Sequence, residues 1–321
     1  MNSVIEKSTE NNRCSFNCRI FGRTQAHLLT KRLGLFISGI IAIVSITGCG
    51  PPSLDAKSMQ ALFEDRPQPV FDSYVVDDRL IHFAEVQSPG KLLIVFLHGT
   101  PGSWSNWAQY MADEHLSAKT HLIAVDRPGF GKSAAEGIVP SLQKQAQYLM
   151  PIFERNTSGQ GILLVGHSLG ATIAVRMAMQ YPEQLCGLVL VAPSLDPVLE
   201  KPRWYNKFAA SPLFRWMIPD KMLLANEEVM VLEQELTKML PLWQTIDISV
   251  TVIQGGKDRL VLPSNADFAE RMLKSKKPTI IRVTDAGHFI LWKKPDIIRD
   301  AILGVLDQNC QTDKINRGLI D

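Results

Sequence analysis

Gly166-His167-Ser168-Leu169-Gly170 sets a serine between two glycines. An apolar run, Ile162–Val165, precedes it, and a stretch with Ala171, Ala174 and Ala178 follows. A strand, a sharp turn and a helix in that order would raise the Ser168 hydroxyl at the end of a strand. Such a turn crowds Cβ atoms, so glycine at 166 and 170 leaves room where a larger residue would clash. The helix N-terminus that follows favours developing negative charge. A serine hydroxyl is a weak nucleophile and needs a base that a third group orients. His288 lies in Asp285-Ala286-Gly287-His288-Phe289, just after the last predicted strand. Asp258 lies in Gly255-Gly256-Lys257-Asp258-Arg259, just after the strand before it. All three would therefore meet at the carboxyl edge of a sheet, where open α/β sheets hold their ligands. Serine, histidine and aspartate in that setting point to attack on an acyl carbon.

The elements that must position them alternate. Apolar runs with β-branched content recur at Leu92–Leu97, His121–Val125, Gly161–Val165, Gly187–Val191, Ser249–Ile253 and Thr279–Val283. Helical spacing falls between them at Leu142–Phe153, Ala171–Gln180, Ala266–Leu273 and Ile297–Leu306. Continuous apolar strands separated by helices predict a mainly parallel sheet covered on both faces. Asp72–Val76 and Leu80–Val86 alternate more and predict an antiparallel entry edge. About fifty residues then separate Val191 from Ser249. This insert carries Trp204, Tyr205, Phe208, Phe214, Trp216 and Trp243, with Leu232, Leu236, Met239 and Leu240 at helical spacing. It reads as a helical cap over about 196–247, with its apolar residues forming cap core. Glu227, Glu228, Glu233 and Glu235 are expected on a solvated helix face, with an acidic pocket group for a substrate's free amine as the alternative.

Two further segments complete a pattern. His98-Gly99-Thr100-Pro101-Gly102 follows the third strand, and Asp126-Arg127-Pro128-Gly129-Phe130-Gly131-Lys132-Ser133 follows the fourth. With the serine pentapeptide and the late histidine, the chain resembles the α/β-hydrolase-fold serine hydrolases over about 71–308. That resemblance implies an eight-stranded, mostly parallel sheet flanked by helices, with the cap inserted after strand 6. It implies Ser168 as nucleophile, His288 as general base and then acid, and Asp258 as the orienting carboxylate. The backbone N–H groups of Thr100 and Leu169 would form the oxyanion hole. Asp196, after the strand before the cap, occupies the acid position of some relatives. Asp285 is close to His288 in sequence, which makes the contact hard to form. His98 and His167 are expected to be structural, the resemblance implying that His98 braces its loop by hydrogen bonding, and Asp126 is expected to fix the turn before Pro128. Relatives that open epoxides or displace halide carry aspartate at the elbow, so Ser168 argues against both. Esters, thioesters, lactones, some N-terminal peptide bonds and C–C bonds beside a ketone stay open.

The front of the chain speaks to address. Leu33 to Ile46 is a run of fourteen residues without charge, preceded by Lys31 and Arg32. A spanning helix needs roughly 20 apolar residues, and Pro51-Pro52 blocks extension of this one. A basic flank, a short apolar core and small residues describe an export signal over 1–48. Ile46-Thr47-Gly48-Cys49 resembles the lipobox of bacterial lipoproteins. The resemblance implies cleavage before Cys49, acylation of that cysteine and anchoring without a span. Gly50 after the cysteine points to the periplasmic face of the outer membrane in a Gram-negative cell. Residues 49–70, with four prolines, read as a tether; 71–310 as the hydrolase domain; 311–321 as a polar tail.

Composition closes other doors. Of 321 residues 45% are hydrophobic and 21% charged, which excludes a disordered or polytopic membrane chain. The formal charge of +2 is N-terminal in origin: beyond residue 48 there are 28 basic and 30 acidic residues. No phosphate-tracking surface follows from that, so nucleic acid is not an expected partner. Five cysteines do not make a disulfide scaffold, and Cys14 and Cys18 lack a second pair for zinc. Cys186, in an apolar strand pattern, is expected as a buried hydrophobe, and with Cys49 acylated at most one disulfide can form. No metal or cofactor is expected. The expectation is thus a lipid-anchored serine hydrolase of small acyl substrates, with carboxylic esters favoured. An aminopeptidase resembling the proline iminopeptidases, a C–C bond hydrolase and a non-enzymatic, membrane-tethered binding protein remain alternatives; the sequence does not speak to oligomeric state.

Overall fold

The computed structural model describes residues 56–273 and 277–310. The export segment, Cys49 and the polar tail at 311–321 lie outside the described residues. Eight strands form one sheet: β1 (Val70–Val76), β2 (Arg79–Val86), β3 (Leu92–Leu97), β4 (Thr120–Val125), β5 (Ile162–His167), β6 (Leu185–Val191), β7 (Ser249–Gly255) and β8 (Thr279–Val283). Their order is β1-β2-β4-β3-β5-β6-β7-β8. β2 pairs antiparallel with both β1 and β4, and every later pairing is parallel. The expected antiparallel entry edge and parallel body are both present.

Every residue of β3, β4, β5 and β6 is buried. That is why these strands read as unbroken apolar runs: both faces are covered. The period of two still sorts them. Leu93, Val95 and Leu97 enter one core, while Leu92, Ile94 and Phe96 enter the other. The first core is closed by α1 (Leu142–Leu149), α2 (Leu169–Gln180) and α5 (Ser264–Met272), the second by α6 (Pro295–Val305). α1 is shorter than its periodicity predicts. Pro151 cannot supply an interior N–H, and the chain continues as a 3₁₀ turn over Met150–Arg155.

Between β6 and β7 stand α3 (Trp204–Ala210) and α4 (Asp220–Met239), the expected cap. Its inner end departs from expectation. Leu232, Leu236, Met239 and Trp243 join the sheet's own core rather than a separate one. Glu228 and Glu235 are buried, not solvated. Glu235 accepts from the Leu142 N–H at 2.9 Å, and Glu228 pairs with Arg127. A glutamate on a helix reads as solvent-facing until the helix is laid against a partner that needs an acceptor.

Two other departures concern the ends. The stretch read as tether contains a helix, Ala56–Leu62, and Phe63 after it is buried in the second core. Cys186 is not a free buried thiol: it forms a disulfide with Cys310, 124 residues away. A strand pattern reports burial but carries no sign of so distant a partner. The described residues belong to one compact unit starting at Pro51. All eight strands and both cores lie within it, so it holds what it needs to fold by itself.

Candidate active site

Ser168 joins β5 to α2 with φ 54° and ψ −123°. A non-glycine residue is strained there, and the strain is stored where the surroundings over-determine the turn. The surroundings are tight. The Ser168 N–H donates to the Val191 carbonyl at 2.9 Å. A Cβ at Gly166 would lie 2.5 Å from the Ala171 Cα, and one at Gly170 would lie 2.2 Å from the Leu97 carbonyl oxygen. Both glycines are therefore demanded by close approach of backbone. Ser168 itself is 8% exposed at the carboxyl edge of the sheet.

The histidine and aspartate loops meet at the same edge. His288 Nδ1 lies 2.8 Å from Asp258 Oδ2. Asp258 is fixed from its other side: Oδ1 accepts from the N–H groups of Leu260 and Val261, each at 2.9 Å. The two loops are laced together, because the Lys257 N–H donates to the Ala286 carbonyl and the Gly256 N–H to the Val283 carbonyl, both at 2.8 Å. The His288 side chain keeps 10% of its surface exposed, whereas that of Asp258 is fully enclosed. With Nδ1 held by the carboxylate, Nε2 is the nitrogen left for chemistry.

His167, next to the serine, braces His288. Its Nε2 lies 3.1 Å from the His288 carbonyl oxygen, and the two rings sit 4.9 Å apart. Burial, then the nearby His288, pushes its pKa down to about 3, so the ring is neutral and donates through Nε2. The His98–Thr100 loop closes the other side. A Cβ at Gly99 would sit 3.0 Å from the Ser168 Cβ, so the backbone leading to Thr100 runs against the serine. The Thr100 hydroxyl is buried without a partner. Leu169 follows the serine as the first residue of α2.

Arg127 holds that loop in place and was not singled out by sequence. Its guanidinium is fully buried and donates in four directions: from Nε to the His98 carbonyl (2.8 Å), from Nη2 to the Gly99 carbonyl (3.0 Å), from Nη1 to Gln145 (2.8 Å), and to both oxygens of Glu228 (2.8 and 3.0 Å). Gln145 also donates to Glu228 at 2.9 Å. One side chain thus connects the loop of Thr100 to the cap helix α4. His98 Nε2 accepts from the Arg127 N–H at 3.0 Å, which leaves Nδ1 to donate to the Gly99 carbonyl at 2.7 Å. Burial and the Arg127 charge push the His98 pKa down to about 3. Asp126 fixes its turn by accepting from the N–H groups of Trp104 and Lys132, at 2.7 and 2.9 Å, and meets His82 Nδ1 at 2.8 Å.

The rival acids stand elsewhere. Asp196 accepts from the Val198 N–H and pairs with Arg271. Asp285 is exposed and bonded to Lys294, which holds its carboxyl below the usual range. A further carboxylate lies within electrostatic range of His288: Glu200, between β6 and the cap. Burial raises its pKa to about 7, and His288 is among the charges that act on it. Asn265 donates to it at 2.9 Å. Nothing in the spacing around residue 200 marks it; only the fold brings it near. Among the described residues no group of acidic, histidine or cysteine side chains could hold a metal.

This constellation on this sheet defines a class. The profile of the alpha/beta hydrolase family matches residues 94–301, and the chain belongs to that family. Protein PHYLLO of Arabidopsis thaliana is 26% identical over an alignment of 274 residues that covers 68% of this chain but only 16% of that protein. Among solved structures, a candidate lipase (lip1) from Acinetobacter baumannii AYE superposes with a TM-score of 0.57 at 23% identity, covering 80% of this chain and 98% of the other. A bacterial membrane phospholipase A gives a TM-score of 0.58 at 18% identity, covering 88% and 98%. At those identities the structures share the fold with this chain.

Proposed function

We propose that this protein is a serine hydrolase of carboxylic esters working through an acyl-enzyme. The observation that carries the reading is the 2.8 Å contact of His288 Nδ1 with Asp258, on the same sheet edge as the strained Ser168 turn. His288 Nε2 takes the proton from Ser168 as Oγ attacks the substrate carbonyl. The oxyanion is received by the N–H groups of Leu169 and Thr100, each worth about 2.7–4 kcal/mol in such sites. The tetrahedral intermediate collapses, and His288 returns the proton to the departing alcohol. Water, deprotonated by the same histidine, then attacks the acyl carbon and releases the acid and the serine. Asp258 holds the imidazole tautomer and steadies the imidazolium without taking the proton.

The test is fluorophosphonate labelling of the chain from Cys49 onward. Labelling lost in Ser168→Ala and strongly slowed in His288→Ala supports the reading. A folded parent that does not label overturns it.

A second reading has one observation behind it. Glu200 is a half-buried acid in electrostatic reach of His288 and could meet a substrate's free amine, as an aminopeptidase requires. Turnover of N-terminal amides above esters, lost in Glu200→Gln, would favour it.

The proposed address is export and acylation at Cys49, with the protein held on the periplasmic face of an outer membrane. The Cys186–Cys310 disulfide supports it, because such bonds persist in oxidising compartments. Intact mass of membrane-extracted protein tests it: a mature N-terminus at Cys49 with acyl mass is expected, and an unmodified Cys49 would sink it.

A further inference from the structure

The mechanism leaves one surface unused. Most of the large apolar side chains exposed among the described residues fall in two short strips: Trp204, Leu213, Trp216 and Met217 in the cap, and Leu260 and Leu262 just past Asp258. Trp216 is 81% exposed, and Trp204 and Leu213 are each 69% exposed. The strips are joined, because Arg203 donates to the Arg259 carbonyl at 3.0 Å and to the Leu260 carbonyl at 3.1 Å. The joined face therefore borders the loop that holds the Asp258 carboxylate. Single exposed apolar residues are ordinary; a joined face of this kind beside a site marks an interaction surface.

Three details say what it fits. First, the Trp216 indole N–H donates to the Leu213 carbonyl at 3.0 Å. Its polar handle is satisfied within the chain, so the ring can enter an apolar medium without stranding a donor. Second, the strips are rich in basic side chains. Residues 201–219 hold Lys201, Arg203, Lys207 and Arg215, bordered by the acids Glu200 and Asp220, and Arg259 opens the second strip next to Asp258. Lys201 and Arg215 meet Glu233 and Glu227 of α4 at 3.8 and 3.4 Å, both at partly exposed positions that only weakly offset charge. Third, beyond residue 48 the 28 basic and 30 acidic residues nearly balance, so the basic side chains of this face are not part of a general excess. Tryptophans and leucines amid basic side chains are what an anionic lipid surface binds. A second copy fits poorly, since a two-fold contact would bring the basic side chains of one face against those of the other.

We propose that this face docks on an anionic lipid surface and that the substrate is an amphiphilic acyl ester taken from it. The docking stands on the surface alone and does not need acylation of Cys49. The substrate half rests on the serine hydrolase reading.

The compact unit from Pro51 onward serves as the probe protein, since it lacks the apolar leader and the anchor cysteine. Flotation with phosphatidylcholine vesicles, with and without phosphatidylglycerol, reads docking. Fluorophosphonate labelling of Ser168 runs in parallel. Binding is expected to the phosphatidylglycerol vesicles, with a blue shift of tryptophan emission, and to weaken as salt is raised. Trp216→Ala with Leu213→Ala, and separately Lys207→Glu, should each weaken it about tenfold. Both variants should label and hydrolyse a short soluble ester as the parent does, while turnover of a vesicle-borne ester falls. No flotation by a parent that labels normally overturns the docking. So do variants that float as well as the parent, or a parent dimer that Trp216→Ala dissolves. Flotation without labelling overturns the substrate half alone and separates it from the docking.

Discussion

Glu228→Ala would leave the Arg127 guanidinium buried without its counter-charge. The two side chains are 0% and 2% exposed, so water cannot replace the lost carboxylate. Breaking a buried pair from one side costs about 3–5 kcal/mol. Arg127 keeps its bonds to the His98 and Gly99 carbonyls and to Gln145, which argues for the lower end, about 3 kcal/mol. In a domain of this size that is a melting-temperature fall of about 6–12 °C. Glu228→Gln keeps one acceptor and the shape, so its loss should be smaller. Replacing both partners together, Arg127→Met with Glu228→Met, removes both buried charges but leaves the His98 carbonyl and Gln145 without the guanidinium, so it should recover only part of the stability. Urea denaturation monitored by tryptophan fluorescence gives the three values. A Glu228→Ala loss under about 0.5 kcal/mol, or a double variant worse than either single one, would refute the picture of Arg127 as a buried fork between the Thr100 loop and the cap. The double variant should also slow labelling of Ser168, since it removes the donors that hold the His98 and Gly99 carbonyls beside it.

Three further outcomes follow from the geometry. Asp258→Asn should lower kcat by about 10⁴ with little change in the fold, because an amide at that position favours the wrong imidazole tautomer; circular dichroism and ester kinetics check both halves. Cys186→Ala should cost up to about 5 kcal/mol, the loop-closure value for a 124-residue loop, read as a lowered guanidinium midpoint that dithiothreitol no longer changes. Glu200 has a folded pKa raised from 4.5 to about 7, so it binds more protons folded than unfolded across that range. Its contribution is fully present below about pH 4.5 and is lost as pH rises to 7; Glu200→Gln should flatten that slope in urea midpoints measured from pH 4.5 to 8.

The local sequence carried much of the architecture. Strands buried on both faces must be apolar throughout, so β3, β4, β5 and β6 were readable within one or two residues at most ends. The Ser168 turn was readable because close backbone approach admits only glycine at 166 and 170, and that demand shows in the letters. The order of Ser168, Asp258 and His288 at strand ends was equally local, and each loop lies after its predicted strand. What tertiary structure decided are the pairings across long separations. The choice of Asp258 over Asp196 as the partner of His288 is a matter of which loops touch. Arg127 meets Glu228 across 101 residues, and Cys186 meets Cys310 across 124. Glu200 gains its raised pKa only from tertiary burial, which outweighs the opposing hydrogen bond from Asn265. Periodicity records which side of an element is covered; it holds no record of what covers it, and charge, redox state and reactivity depend on the cover.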